Sequence, residues 1–226
     1  MKNSNFAEEA FKSLPYFNKL TLEEIIGKKK ESLNYWVKKL LRQGEIISLK
    51  KGLYVSKLYL LSLEKNPGLK EAYLEYLANI LRYPSYLSLE YALAKYGLIP
   101  EGVYSFTSAT IKSSRIYKNP LGNFIYRKIN PRLFFGFING EFEDKKIKIA
   151  SPAKALFDFL YFKSFPLSRR AQEEFLKDLR INWGVLTKKD WQEFGQIVCQ
   201  ANSRKMKALF KTYYFSLTKE FLNPII

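Results

Sequence analysis

The sequence predicts an α+β fold, and three observations predict it. Apolar residues recur at helical spacing through the first forty-odd residues and again at Leu69 to Leu81. From Val103 to Ala150 the spacing shortens toward alternation, punctuated by Asn, Gly and Pro. From Leu167 onward the chain reads as helical throughout. A length of 226 residues fits one large or two small domains, with two the better division. The expected boundaries are 1–58 and 59–226, with a helical subregion from about 167.

In the first block, Phe6, Ala10 and Phe11 set a helix over Asn5 to Ser13, which Pro15 ends. Thr21 with Glu24 has the spacing of a capping box, so a short helix follows from Leu22 to about Ile26, and Gly27 permits a turn. Ser32 is the expected cap of a third helix that reaches Gln43 and closes at Gly44. Leu33, Trp36, Val37, Leu40 and Leu41 share its apolar face; Tyr35, Lys38, Lys39 and Arg42 lie toward the other, with Asn34 on the flank. Glu45 to Leu49 and Leu53 to Ser56 read as strands around a Lys50-Lys51-Gly52 turn.

Two helices, a basic third helix and a hairpin with a lysine tip form the layout of a winged helix-turn-helix. Its apolar face docks on the first two helices, leaving the basic face for a DNA major groove, where Asn and Arg pair with base edges. Lysines before the helix and on the wing contact phosphates, and the Ser32 cap leaves helix N-terminal amides for another. The same small fold also serves as a protein–protein module, and a lysine face can be simply solvated.

Further along, Lys57 to Gly68 reads as a linker, with Asn66-Pro67-Gly68 its clearest loop signal. Leu69 to Leu81 is a helix, and Ser88 is the expected cap of another from Leu89 to Tyr96, ended by Gly97. Val103 to Ile111, Phe124 to Ile129, Leu133 to Ile138 and Ile147 to Ala150 are strand candidates of a mainly antiparallel sheet. Ser151 caps a helix through Phe162, with Pro152 at its first position. Arg169 to Leu179, Lys188 to Ala201 and Ser203 to Phe221 complete a helical C-terminal bundle packed on the sheet.

Composition narrows the chemistry. There are 38 basic and 21 acidic residues, a net charge of +17. Such an imbalance favours a polyanionic partner, although lysine-rich chains without one also exist. Nine basic residues against two acidic ones fall between Lys28 and Lys57. The chain has no histidine, which removes Ser-His-Asp and Cys-His catalysis and imidazole metal sites. Its one cysteine, Cys199, is expected to be a small buried apolar residue. Met1 to Asn18 lacks the apolar core of a secretory signal, and no window approaches a membrane span, so the expectation is a soluble cytoplasmic protein without membrane contact.

The resemblance to a known family lies in four segments in order: RQGEIISLKKGLYV (Arg42 to Val55), YPSYLSLEYALAKYGLIPE (Tyr83 to Glu101), NPRLFFGF (Asn130 to Phe137) and SPAKALFDFLY (Ser151 to Tyr161). They resemble AbiEi-type antitoxins of the bacterial AbiE toxin–antitoxin systems over about residues 5 to 165; the tail after Leu167 resembles nothing identified. The resemblance implies a winged helix that binds inverted repeats in the protein's own promoter as a repressor. It also implies a larger domain that counters a nucleotidyltransferase toxin, AbiEii, without requiring a stable complex. The expected contacts to double-stranded operator DNA are Lys28, Lys29, Lys30, Ser32, Asn34, Tyr35, Lys38, Lys39, Arg42, Lys50 and Lys51. No catalytic residue, cofactor or metal is implied, and the oligomeric state stays open.

The alternative is a stand-alone winged-helix regulator whose larger domain binds an effector or dimerises. A nuclease reading rests on Glu143-Asp144-Lys145, but such a centre needs an acid on a preceding strand, and Phe124 to Ile129 and Leu133 to Ile138 carry none. Lys154 and Asp158, four apart, read as an ordinary ion pair on a helix surface or a packing Asp.

Overall fold

The structure, a computed structural model, describes residues 13–26, 30–166 and 168–221. The expected helix from Asn5 lies outside these residues except for Ser13, which sits in a turn. The described chain is a mixture of α and β: a small N-terminal unit, a six-stranded sheet with helices on both faces, and a helical C-terminal region.

The first unit contains β1 (Phe17–Asn18), α1 (Lys19–Ile26), α2 (Lys30–Gln43), β2 (Ile46–Lys50) and β3 (Leu53–Ser56). The Asn18 side chain, not Thr21, caps α1: its Oδ1 accepts from the Thr21 N–H at 3.0 Å. Asn18 also accepts from the Thr21 hydroxyl, so Thr21 is a donor to the cap. The helix accordingly begins three residues earlier than expected. Ser32 likewise does not cap α2, because the helix starts at Lys30 and Ser32 lies within its first turn. Gly44 closes α2 with φ +68, a conformation that costs a side-chain-bearing residue about 1–2 kcal/mol.

The three strands form an antiparallel sheet in the order β1-β3-β2. Alternation along β3 divides the hairpin between two cores. Tyr54 joins Phe17, Leu22, Leu33, Val37, Leu40 and Ile46 in the small unit's own core. Leu53 and Val55, with Leu49, belong instead to the core of the rest of the chain.

The expected linker from Lys57 is helical. Ser56 accepts from the Leu58 N–H at 3.1 Å and caps α3 (Lys57–Glu64), which buries Tyr59 and Leu63. The Asn66-Pro67-Gly68 signal is a helix start, since Asn66 caps α4 (Pro67–Leu81) and Pro67 occupies its first position. There follow β4 (Ser85–Leu87), α5 (Leu89–Lys95), β5 (Ser105–Thr110), β6 (Arg115–Asn119), β7 (Gly122–Lys128), β8 (Phe137–Phe142), β9 (Lys145–Ala150) and α6 (Pro152–Phe162).

The large sheet has the order β6-β7-β5-β4-β9-β8. Three of its five strand pairings are antiparallel, and it is mixed because β5 pairs with β7 and β4 with β9 in parallel. Leu133 is not in a strand: Pro131–Leu133 forms one 3₁₀ turn capped by Asn130, and the strand begins only at Phe137. Successive residues of β4 point to opposite faces. Ser85 reaches the Ala78 carbonyl on α4, while Tyr86 reaches Asp158 on α6. Thus α4 covers one face, and α5 and α6 cover the other.

The C-terminal helices are α7 (Arg169–Asp178), α8 (Lys188–Ala201) and α9 (Arg204–Phe221). Thr187 and Asp190 form a reciprocal capping box on α8, and Asn202 ends it at φ 47. Phe194 of α8 packs on Phe157 of α6. No helix among the described residues is long and apolar enough to cross a membrane.

Candidate nucleic-acid interface

The two sides of α2 differ in the way its sequence demands. Leu33, Val37 and Leu40 are buried and Trp36 packs against them. Leu41, expected on that face, is 36% exposed and sits at its edge. Ser32, Asn34, Lys38, Lys39 and Arg42 are exposed, and Tyr35 is 71% exposed, so it is no packing residue. Asn34 accepts a hydrogen bond from the Lys19 ammonium, which ties α2 to α1 and leaves its amide N–H₂ as a donor. Lys30 opens the helix, whereas Lys28 and Lys29 lie outside the described residues.

The two hairpin lysines part company. Lys51 is exposed in the turn. Lys50 is half-buried, and its ammonium donates to the Leu81 carbonyl at the end of α4, 2.8 Å away. Burial lowers its pKa, and the nearby charges of Lys112 and Arg82 push in the same direction. Lys50 is therefore a clamp between hairpin and α4, not a free cation at a wing tip. The hairpin and the segment leading into β1 each have a further tie to the larger unit's side. The Asn119 amide donates to the Leu49 carbonyl at 3.0 Å, and the Tyr73 hydroxyl donates to the Pro15 carbonyl at 2.7 Å.

Sequence reasoning placed its cations in the first sixty residues and missed Arg82 and Lys112, which stand beside Lys50. The available signal was the absence of any acid between Glu101 and Glu141.

Lys154 and Asp158 do pair, but not on a surface. Both side chains are 0% exposed, with Lys154 Nζ 2.6 Å from Asp158 Oδ1. The hydroxyls of Tyr86 and Ser88 each donate to Asp158 Oδ2 at 2.8 Å. Ser88 thereby spends its side chain on Asp158 and makes no cap bond to α5. The ammonium lies 5.7, 5.2 and 5.0 Å from the ring centres of Tyr86, Phe135 and Phe157. Burial raises the Asp158 pKa against the opposing pull of Lys154, Ser88 and Tyr86; burial lowers that of Lys154 against the pull of Asp158. The pair has no access to substrate, so its chemistry is structural.

Glu143 and Lys145 bond to each other at 3.2 Å across an exposed turn, with Glu143 at φ 50. The preceding strand does carry an acid, Glu141, because β8 extends to Phe142, but Glu141 is exposed at the sheet edge. Among the described residues no group of three or more His, Cys, Asp or Glu side chains is placed to hold a metal. Cys199 is exposed, not buried, since Ile197 and Val198 occupy the inward positions of α8. No known protein-family model matches the chain, and no curated protein matches it.

Proposed function

We propose that this protein is a DNA-binding antitoxin of the AbiE type. In this reading the first unit is a winged helix-turn-helix with α2 as recognition helix, and the larger unit counters a nucleotidyltransferase toxin. The observation that carries the DNA reading is the division of α2. One face is committed to a core, and the other presents Asn34, Tyr35, Lys38, Lys39 and Arg42 to solvent. Arg42 carries the forked donors of a bidentate base contact, worth about 1–3 kcal/mol of discrimination, and Asn34 offers its amide N–H₂ as a donor. Lys38, Lys39 and Lys51 are point charges suited to phosphates, which add affinity without sequence information.

The toxin reading is supported by the four-segment resemblance to AbiEi-type antitoxins. For the rival, a regulator with an effector site in its larger domain, one pocket among the described residues bears on the question. The pocket between hairpin, α3 and α4, lined by Ile47, Leu60, Tyr73 and Leu121 among others, holds about 230 Å³. That is below the roughly 300–1,000 Å³ of ordinary ligand sites.

The test is binding of the purified chain to its own upstream promoter and to a scrambled fragment at two salt concentrations. Preference for the promoter that survives the higher salt is expected, together with loss of that preference in Asn34→Ala and Arg42→Ala. Equal, salt-sensitive binding to both fragments removes the regulator reading. Failure to restore growth on co-expression with a nucleotidyltransferase toxin of the AbiEii type removes the antitoxin reading.

A further inference from the structure

The two edges of the six-stranded sheet differ. At the β6 edge the Asn119 amide donates to the Leu49 carbonyl of the hairpin, so that edge meets the N-terminal unit. At the other edge β8 pairs with β9 and with no further strand among the described residues. The ladder shows which main-chain groups of β8 are left over. Lys148 of β9 spends its N–H and C=O on the Asn79 side chain, at 2.8 and 3.3 Å, rather than on β8. Asn139, opposite Lys148, is therefore half of a non-hydrogen-bonded pair, and its own N–H and C=O point outward. Glu141, two residues on, repeats that orientation. Neither residue has a main-chain partner outside the ladder among the described residues.

Open edges are normally blunted by lysine, proline or a bulge. Strand β8 has none of these: it reads Phe-Ile-Asn-Gly-Glu-Phe, and its register with β9 is unbroken. Asn139 and Glu141 are exposed, and Ile138 is 51% exposed.

We infer that β8 pairs with β8 of a second copy of this chain, antiparallel about a two-fold axis at Gly140, joining the two sheets into one. The register follows from the groups that face outward. Asn139 exchanges both main-chain bonds with the partner's Glu141, and Glu141 does so with the partner's Asn139. Gly140 meets the partner's Gly140 in the non-bonded pair between them. The side chains fit the same register. Glu141 lies beside Lys146 in its own ladder and beside the partner's Asn139 in the new one, with the partner's Lys148 next in the row. An acid thus falls between lysines in both halves, in a chain of net charge +17. On the opposite face Ile138 comes against the partner's Phe142 and loses its exposure. A strand of another protein offers the same main-chain bonds. A second copy is favoured because the charge pattern is reciprocal and the symmetry closes both edges at once. The inference does not depend on the DNA reading; joined to it, the axis relates two copies of α2, as half-sites of inverted sequence require.

The contact is small and each copy carries +17, so the expected dimer is weak, concentration-dependent and strengthened by salt, which screens the repulsion. Sedimentation equilibrium of the full chain at about 0.15 and 1 M salt reads this. Glu141→Lys places a third lysine in each row and should weaken self-association roughly tenfold or more. Asp178→Lys, the same charge change at an exposed position on α7, should not. Cross-linking fixes the register. In a Cys199→Ser background, Gly140→Cys should form a covalent dimer on oxidation, because Cα atoms of a non-bonded pair lie about 4.5 Å apart, within disulfide range. A side chain fits there, with Ile147 the nearest neighbour at 3.7 Å. Asn139→Cys, two residues out of step with its own copy across the axis, should not cross-link. Exchange of the Asn139 and Glu141 amides should slow as concentration rises. A chain that stays monomeric at every concentration and salt overturns the inference, whether those amides exchange freely or are protected by another part of the same chain. Self-association insensitive to Glu141→Lys, or cross-linking as ready at Asn139→Cys as at Gly140→Cys, places the interface elsewhere and overturns it too.

Discussion

Breaking the buried Lys154–Asp158 pair should cost more than any surface substitution, and the cost should be strongly non-additive. Both side chains are fully buried, and Asp158 accepts three hydrogen bonds, from Lys154, Tyr86 and Ser88. Lys154→Met leaves a carboxylate with two hydroxyl donors and no cation. Asp158→Asn leaves an ammonium among aromatic rings with no anion. Removing one partner of a buried pair costs about 3–5 kcal/mol. A domain's whole stability is about 5–15 kcal/mol, so either single variant forfeits a large share. The double variant removes both charges and keeps an oxygen for Tyr86 and Ser88. Its main penalty is one unpartnered amide N–H₂ group, about 1–3 kcal/mol. The singles therefore sum to about 6–10 kcal/mol while the double costs about 1–3, a coupling of at least roughly 3 kcal/mol.

Urea unfolding of the four proteins at neutral pH measures this, provided the m-values agree. The pH dependence supplies a second readout. In Lys154→Met nothing cationic opposes the burial that raises the Asp158 pKa. The folded-state value then lies above the unfolded value of about 3.9, so the folded protein binds the extra proton. The deficit of that variant should narrow as pH falls toward about 4 and widen as it rises. A Lys154→Met cost below about 1 kcal/mol, or single costs that add within about 0.5 kcal/mol, would refute the reasoning.

The remaining predictions concern the tyrosines and the hairpin. Burial pushes Tyr96 up to about 12 and holds Tyr73, Tyr86, Tyr91 and Tyr126 higher still. These groups stabilise the fold in full below the unfolded tyrosine pKa of about 10, and that contribution is lost as pH rises beyond it. Tyrosinate absorbance from them should therefore appear together with loss of helical circular dichroism; ionisation with the fold intact would contradict their burial. Lys51→Ala should leave stability within about 0.5 kcal/mol of wild type while lowering the salt slope of DNA binding by about 1. Lys50→Ala should do the reverse, costing about 1 kcal/mol through the lost bond to the Leu81 carbonyl and leaving the slope unchanged. Denaturation midpoints and salt titrations of the two variants separate these roles.

Elements whose signals are local were legible in the sequence. Helix α6 runs from Pro152 to Phe162 under a Ser151 cap, as its Ser-Pro start and apolar spacing dictate. The hairpin and the exposed face of α2 follow from alternation and helical period in the same way. Cap assignments failed where two residues competed. Asn18 precedes Thr21 and captures its N–H, and Ser88 is drawn away from α5 by a carboxylate 70 positions later in the chain. Long-range partners of that kind leave no periodic trace. Lys50 shows the same limit. As sequence it is a lysine at a turn, and only the packing of α4 beside the hairpin supplies the Leu81 carbonyl that holds it.

The segments that carry the family resemblance have a physical reason to be the recognisable ones. Three of the four meet at the buried pair: Tyr86 and Ser88 from Tyr83–Glu101, Phe135 and Gly136 from Asn130–Phe137, and Lys154 and Asp158 from Ser151–Tyr161. Gly136 sits at φ +74, where an added Cβ would come within 3.1 Å of the Lys154 side chain, so the close approach needs glycine. Such a site constrains residue identity tightly, because each polar group is satisfied only by the others. Resemblance in these segments thus speaks for the architecture of the larger unit, since none of the paired groups reaches solvent. In the proposed reading, nucleic acid meets the exterior instead, at the outer face of α2. Single variants of the buried pair should lower every activity in step with stability, whereas variants of Asn34 or Arg42 should change one activity and leave stability near wild type. That contrast is the experimental route from a shared core to a particular function.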